Sequence, residues 1–145
     1  MLSLIYVPAV GASFWAAWTD ANASKIPNLV SLLMLFAGLI VVSFAPNPTP
    51  HLIAFAIVFV ATFSLWAMQA GMGGGDCKLL SGIALVLGAG FIPFMGALAL
   101  FAFILMRTRH LLPRAWKRRA SDMIPLAVPA APALVAALWV TGVLQ

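Results

Sequence analysis

The chain has 145 residues; 64% are hydrophobic, 8% are charged, and the formal net charge is +5. Soluble domains carry about 25% charged residues, so this composition excludes an ordinary soluble protein and points to one integral to a membrane. The single cysteine, Cys77, excludes an intramolecular disulfide and a paired-cysteine zinc site. The basic residues lack a base-reading module, which argues against nucleic acid as a partner.

The first apolar run, 2–19, has the length of a signal peptide but no positive segment ahead of it, and reads as a retained first span. Further runs follow at 28–45, 51–70, 79–90, 91–106 and 124–144. A crossing needs about 20 apolar residues, which allows five or six spans and one membrane-embedded domain over 1–145. The expected class is therefore all-α and polytopic, with about six transmembrane helices. The segment 79–106 is the ambiguous part, either one long tilted span or two short ones separated at Gly88, Gly90 and Pro93.

The connectors resolve that ambiguity by their charge. Asp20 and Lys25 lie in the first (20–27), and PNPTP (46–50) has none. Asp76 and Lys78 lie in the third (71–78). Arg107, Arg109, Arg114, Lys117, Arg118, Arg119 and Asp122 lie in the last (107–123). With six spans and the N-terminus outside, every charged connector falls on one side, and the positive-inside rule makes it the cytoplasm. The basic loop over 107–119 then marks topology and meets anionic lipid.

Few residues can do chemistry. Asp20 follows the first span and Asp76 precedes the fourth, so this topology puts both at the cytoplasmic membrane edge. Two carboxylates brought close cannot both ionise readily, and such a pair activates water while donating to a carbonyl oxygen without a metal. Bland roles stand beside this one. An Asp between glycines and a helix serves as an N-cap, and Asp20 could sit in a solvated turn. Helix dipoles favour ionisation of Asp76 at a helix start over Asp20 at a helix end. The glycines before Asp76 permit positive φ and close backbone approach, or simply a flexible turn. Lys78 either marks the cytoplasmic side or steers substrate. Cys77 has no base at hand, since His51 falls on the opposite face and His110 in the basic loop.

Two stretches carry a resemblance to a known family. GGGD at 73–76 resembles the GxGD signature of intramembrane aspartyl proteases, and GGGDCKL at 73–79 resembles the GxGDxKL form of type IV prepilin peptidases. Asp20 is followed after five residues by Ile26, Pro27 and Asn28, similar to the pattern around that family's first catalytic acid. The resemblance covers essentially the whole chain and is nearest the short, stand-alone peptidases of tight-adherence (Flp) pilus systems. It implies Asp20 and Asp76 as the catalytic pair. Gly73, Gly75, Lys78, Ile26, Pro27 and Asn28 are implied as motif residues along the substrate's approach, with no cofactor and no metal. The implied substrate is a prepilin or pseudopilin helix cut after its short basic leader, in the bacterial inner membrane. Longer relatives carry paired cysteines linked to N-methylation, and the short form implies peptidase activity alone. The chain departs from the family at the opening of the last span. There Pro125 or Pro129 stands as the equivalent of the proline in a Pro-Tyr motif, with Leu126 or Ala130 in place of the tyrosine. A preflagellin peptidase and a non-catalytic membrane assembly subunit are the alternatives.

Overall fold

The computed structural model describes residues 6–23, 27–69, 73–108 and 127–142, and among these it contains helices and no strand. The helices are α1 (Val7–Ala23), α2 (Asn28–Phe44), α3 (Thr49–Ala67), α4 (Gly74–Leu87), α5 (Phe91–Thr108) and α6 (Ala127–Val140), with a 3-10 turn at Gly88–Gly90 between α4 and α5. The basic loop beyond Thr108, Ile26 of the first connector, and Pro125 and Leu126 all lie outside the described residues.

Helix starts follow local chemistry. Prolines 27 and 48 occupy the caps of α2 and α3, and Pro50 sits in the first turn of α3. A helix's first N–H groups have no intrahelical partner, so proline loses nothing there. The Pro27 carbonyl accepts from Val30 N–H at 3.0 Å, and the Pro48 carbonyl from His51 N–H at 3.1 Å.

Two helices extend further than hydropathy indicates. α1 continues through the polar residues after 19, where Thr19 Oγ1 and Asn22 Nδ2 bond back to the carbonyls of Trp15 and Trp18. α4 begins at Gly74, so Gly75, Asp76 and Lys78 are helical. Asp20 and Asp76 thus sit in terminal helical turns, not in the connectors where the apolar pattern placed them.

Contacts fix the direction of every helix. The end of α1 meets the start of α6 through Asp20 and Ala127. The start of α2 meets the first turns of α4 through Asn28 and Lys78. The end of α3 lies at the start of α4, with Trp66 beside Gly74, and its first turns lie at the end of α4, with His51 against Gly88. The end of α6 meets the 3-10 turn, with Thr141 against Gly90. α5 leaves that turn and packs along α6, burying Phe94 and Leu98. Such packing requires α5 to run back the way α4 came. The chain therefore reverses at Gly88–Gly90, and successive helices alternate in direction. The charged residues among those described, Asp20, Asp76, Lys78 and Arg107, all fall at one end of the bundle.

α4 is the centre of the fold. It packs against α2 and α3, and every residue from Leu79 to Leu87 is buried. On the other side, α6 packs between α1 and α5 through a mostly alanine and leucine face that includes Ala127, Ala130, Ala133, Leu134, Ala137 and Leu138. Pro129 and Ala130, candidates for the variant last-span motif, are both buried on that face. Outward faces are apolar, as at Phe36, Ile57, Phe103 and Trp139. α3 is long and apolar enough to cross a membrane, and the apolar run Gly74–Ile104 is too by length and composition, though the reversal at Gly88–Gly90 divides it into two shorter helices. In lipid there is little hydrophobic gain from helix association, and close fit replaces it. Gly38 and Gly82 provide that fit, since a Cβ at either would stand 2.9 Å from Leu85 or 2.7 Å from Met34.

Gly88 is the conformational pivot. Its φ of 53° and ψ of −123° belong to a region open essentially to glycine, and a Cβ there would stand 3.0 Å from the His51 ring. His51 Nδ1 lies 2.9 Å from the Leu85 carbonyl, one of the last-turn oxygens α4 cannot satisfy itself. The acceptor is a carbonyl, so Nδ1 carries the proton. Gly88→Ala is expected to destabilise the bundle by about 1–3 kcal/mol. Gly96→Ala, where a Cβ meets nothing within 4 Å, is expected to be neutral or slightly stabilising. Denaturation of the two variants in detergent micelles measures the difference.

Candidate active site

Asp20 is placed by the inner face of α1. The buried positions Ala9, Ala12, Ser13 and Ala16 recur at helical spacing, and Asp20 continues that stripe with 8% of its surface exposed. Small residues on this face let α6 approach closely. The Ala127 N–H, at the first residue of α6, donates to Asp20 Oδ2 at 3.1 Å.

Asp76 is placed by the start of α4. It is the third helical residue, half-buried, and its Oδ2 accepts from the Gly73 N–H at 3.1 Å. This is the acid half of a capping box, in which the side chain reaches back to the N-cap N–H. Capping and exposure to the site coexist in one carboxylate. Asp76 lies within electrostatic range of Asp20, so two acids 56 positions apart in sequence are brought to one end of the bundle.

This arrangement removes the ground for separating the acids by helix dipoles. Asp20 does lie in the last turn of α1, but its carboxylate accepts from the first N–H of α6. Each acid is therefore held at a helix N-terminus by one backbone donor.

The glycines act differently from the sequence expectation. Gly73 has φ −79° and ψ 149°, which any residue adopts, and Gly74 and Gly75 are helical. Positive-φ glycines among the described residues are Gly88 and Gly142. The need at Gly73 is for space, because a Cβ would stand 3.1 Å from Asp76 Oδ2. Trp66 lies against Gly74, its Nε1 3.4 Å from where a Cβ would be.

The two motifs meet directly. Lys78 Nζ donates to Asn28 Oδ1 at 3.1 Å, joining residues 50 apart in sequence. Pro27 ends the first connector and caps α2, which sets Asn28 at the first helical position. Cys77 points away from the acids into the α3 contact, where Thr62 Oγ1 donates to its Sγ at 3.2 Å. His51 is at the far end of the bundle. Among the described residues no group of three or more His, Cys, Asp or Glu side chains gathers as a metal site.

Sequence reasoning missed the Ala127 N–H, since a backbone donor leaves no mark in side-chain identity. The Asn28–Lys78 bond had a usable signal: both residues belong to the two motifs already singled out.

The fold and site define a helical membrane protein with two aspartates at one end of the bundle. The profile of the type IV leader peptidase family matches residues 9–107, well over half of the chain. The chain belongs to the type IV leader peptidase family, a family of proteases. The match spans both aspartates and ends before α6, the helix whose first N–H holds Asp20. Comparison with curated proteins and with solved structures returns no match.

Gly73→Ala is expected to push the Asp76 carboxylate by a few tenths of an ångström. Proteolytic activity should fall by about tenfold, in line with the sensitivity of reactions to alignment. Cleavage rate and melting temperature, measured on the same preparation, separate this from unfolding.

Proposed function

We propose that this protein is an aspartic endopeptidase that removes the short basic leader of a prepilin or pseudopilin at the cytoplasmic edge of the bacterial inner membrane. The observation that carries the reading is the convergence of Asp20 and Asp76, each held by a backbone N–H, in a chain of the leader peptidase family. The catalytic roles of the two acids and of the flanking motif residues are part of this proposal.

The chemistry follows from the pair. One carboxylate takes a proton from water as the water oxygen attacks the scissile carbonyl carbon. The other, protonated, donates to the carbonyl oxygen, giving a tetrahedral diol. When the diol collapses, the C–N bond breaks and the leaving nitrogen takes a proton from the pair. The acids titrate as a unit, so the assignment of base and acid belongs to the pair. A pair that works with one shared proton gives a bell-shaped dependence of rate on pH.

The membrane arrangement is part of the same proposal. Six spans with the N-terminus outside put the charged bundle end in the cytoplasm. A substrate with a basic leader and an apolar helix presents its junction at that level. The basic loop over 107–119 contacts anionic lipid, because it would repel a basic leader.

The test is co-expression with a candidate prepilin, comparing the wild type with Asp20→Asn and Asp76→Asn. Both variants keep the shape of the side chain and remove the shared-proton chemistry. Each is expected to leave the prepilin unprocessed on an immunoblot while accumulating in membranes at the wild-type level. Processing at the wild-type rate by either variant would rule out the pair and favour a non-catalytic assembly subunit.

A further inference from the structure

We propose that Lys78 is a positioning residue, and that its bond to Asn28 latches the mouth of the α2–α4 seam so that Asp20 and Asp76 stay in register. The inference rests on the peptidase reading and deepens it.

The seam between α2 and α4 has two kinds of contact. In its interior, Met34 fits against Gly82 and Leu85 against Gly38. These fits are apolar and lie about 9 and 15 Å along α2 from Asn28, at 1.5 Å per residue. At the mouth, the Lys78–Asn28 bond is the side-chain hydrogen bond that joins the two helices among the described residues. Ser31, one turn further along α2, is buried, and its hydroxyl has no hydrogen-bond partner among the described residues. It adds no second tie.

The latch sits where the acids need it. Asp76 and Lys78 are two residues apart on α4, which puts their side chains on nearly opposite sides of the helix. Lys78 therefore faces α2, away from the side of α4 that carries Asp76. On the other strand of the connection, Asn28 follows Asp20 by only eight residues. Holding Asn28 to α4 thus limits how far the end of α1 can move from the start of α4. The interior fits hold the helices together, and the latch sets the spacing of their ends.

A substrate-steering lysine would act without Asn28, which allows a sharp test. Lys78→Met, Asn28→Ala and the double variant are compared for kcat and KM of leader cleavage in detergent. Each single variant should lower kcat by about tenfold with KM little changed, as for a loss of alignment, and the double variant should be no worse than either single. Asn28→Asp, which restores an acceptor for the ammonium, should recover most of the rate lost in Asn28→Ala. A second readout needs no activity. With Cys77→Ser as background, spin labels at Trp18→Cys and Gln69→Cys should report a broader distance distribution once Lys78→Met is introduced. Additive losses, an effect on KM alone, or an unchanged distance distribution would overturn the latch. If the wild type cleaves no leader while the distance broadens, the peptidase reading fails and the latch stands.

Discussion

Two backbone N–H groups, those of Gly73 and Ala127, are the fixed points on which the site depends. A carboxylate near the membrane cannot be left without donors, because burying unpaired charge is costly. Water supplies them at a free surface. Here Asp20 is buried and Asp76 half-buried, and the donors are the N-cap N–H of α4 and the N–H of Ala127, the first described residue of α6. The need of the acid and the need of the helix end are met by one bond in each case. Both bonds lie at the same end of the bundle, and this is what makes a pair from two separate acids.

α4 has to be where it is for that to hold. Its nine-residue stretch from Leu79 to Leu87 is buried on all sides, so its position is set by α2, α3 and α6 together. Glycines at positions 38 and 82 let α2 come close, and His51 with Gly88 ties the far end to α3. The start of α4 then projects from a rigid body into the charged end of the bundle. Peripheral α3 turns most of its surface outward, yet it packs along α4 as extensively as α2 does, with Thr62 on Cys77, His51 on Leu85 and Trp66 by Gly74 among its contacts.

The site was legible where side chains carry it. The acids stood out because so few charges exist in the chain, and the spacing around them carried the family resemblance. Less legible was the local structure. Hydropathy ended the first run at 19 and began the fourth at 79, since it weighs polarity and cannot see Thr19 and Asn22 bonding back to helix carbonyls. It therefore put both acids in connectors, when both are helical. The glycine run suggests backbone freedom, yet the constraint at Gly73 is the carboxylate 3.1 Å from where its Cβ would be.

The sequence by itself determined that this is an apolar helical membrane protein and which two acids have company worth noting, because composition and motif spacing are properties of the chain alone. The distribution of charge also singles out one end of the bundle, where Asp20, Asp76, Lys78 and Arg107 lie. Tertiary structure decided what holds each acid. Asp20 takes its donor from a residue 107 positions away, in a helix beyond the family match. Lys78 finds its partner only when α2 and α4 run parallel and bring Asn28 within 3.1 Å. Both facts are pairings between distant segments, and such pairings exist only once the helices have chosen their neighbours.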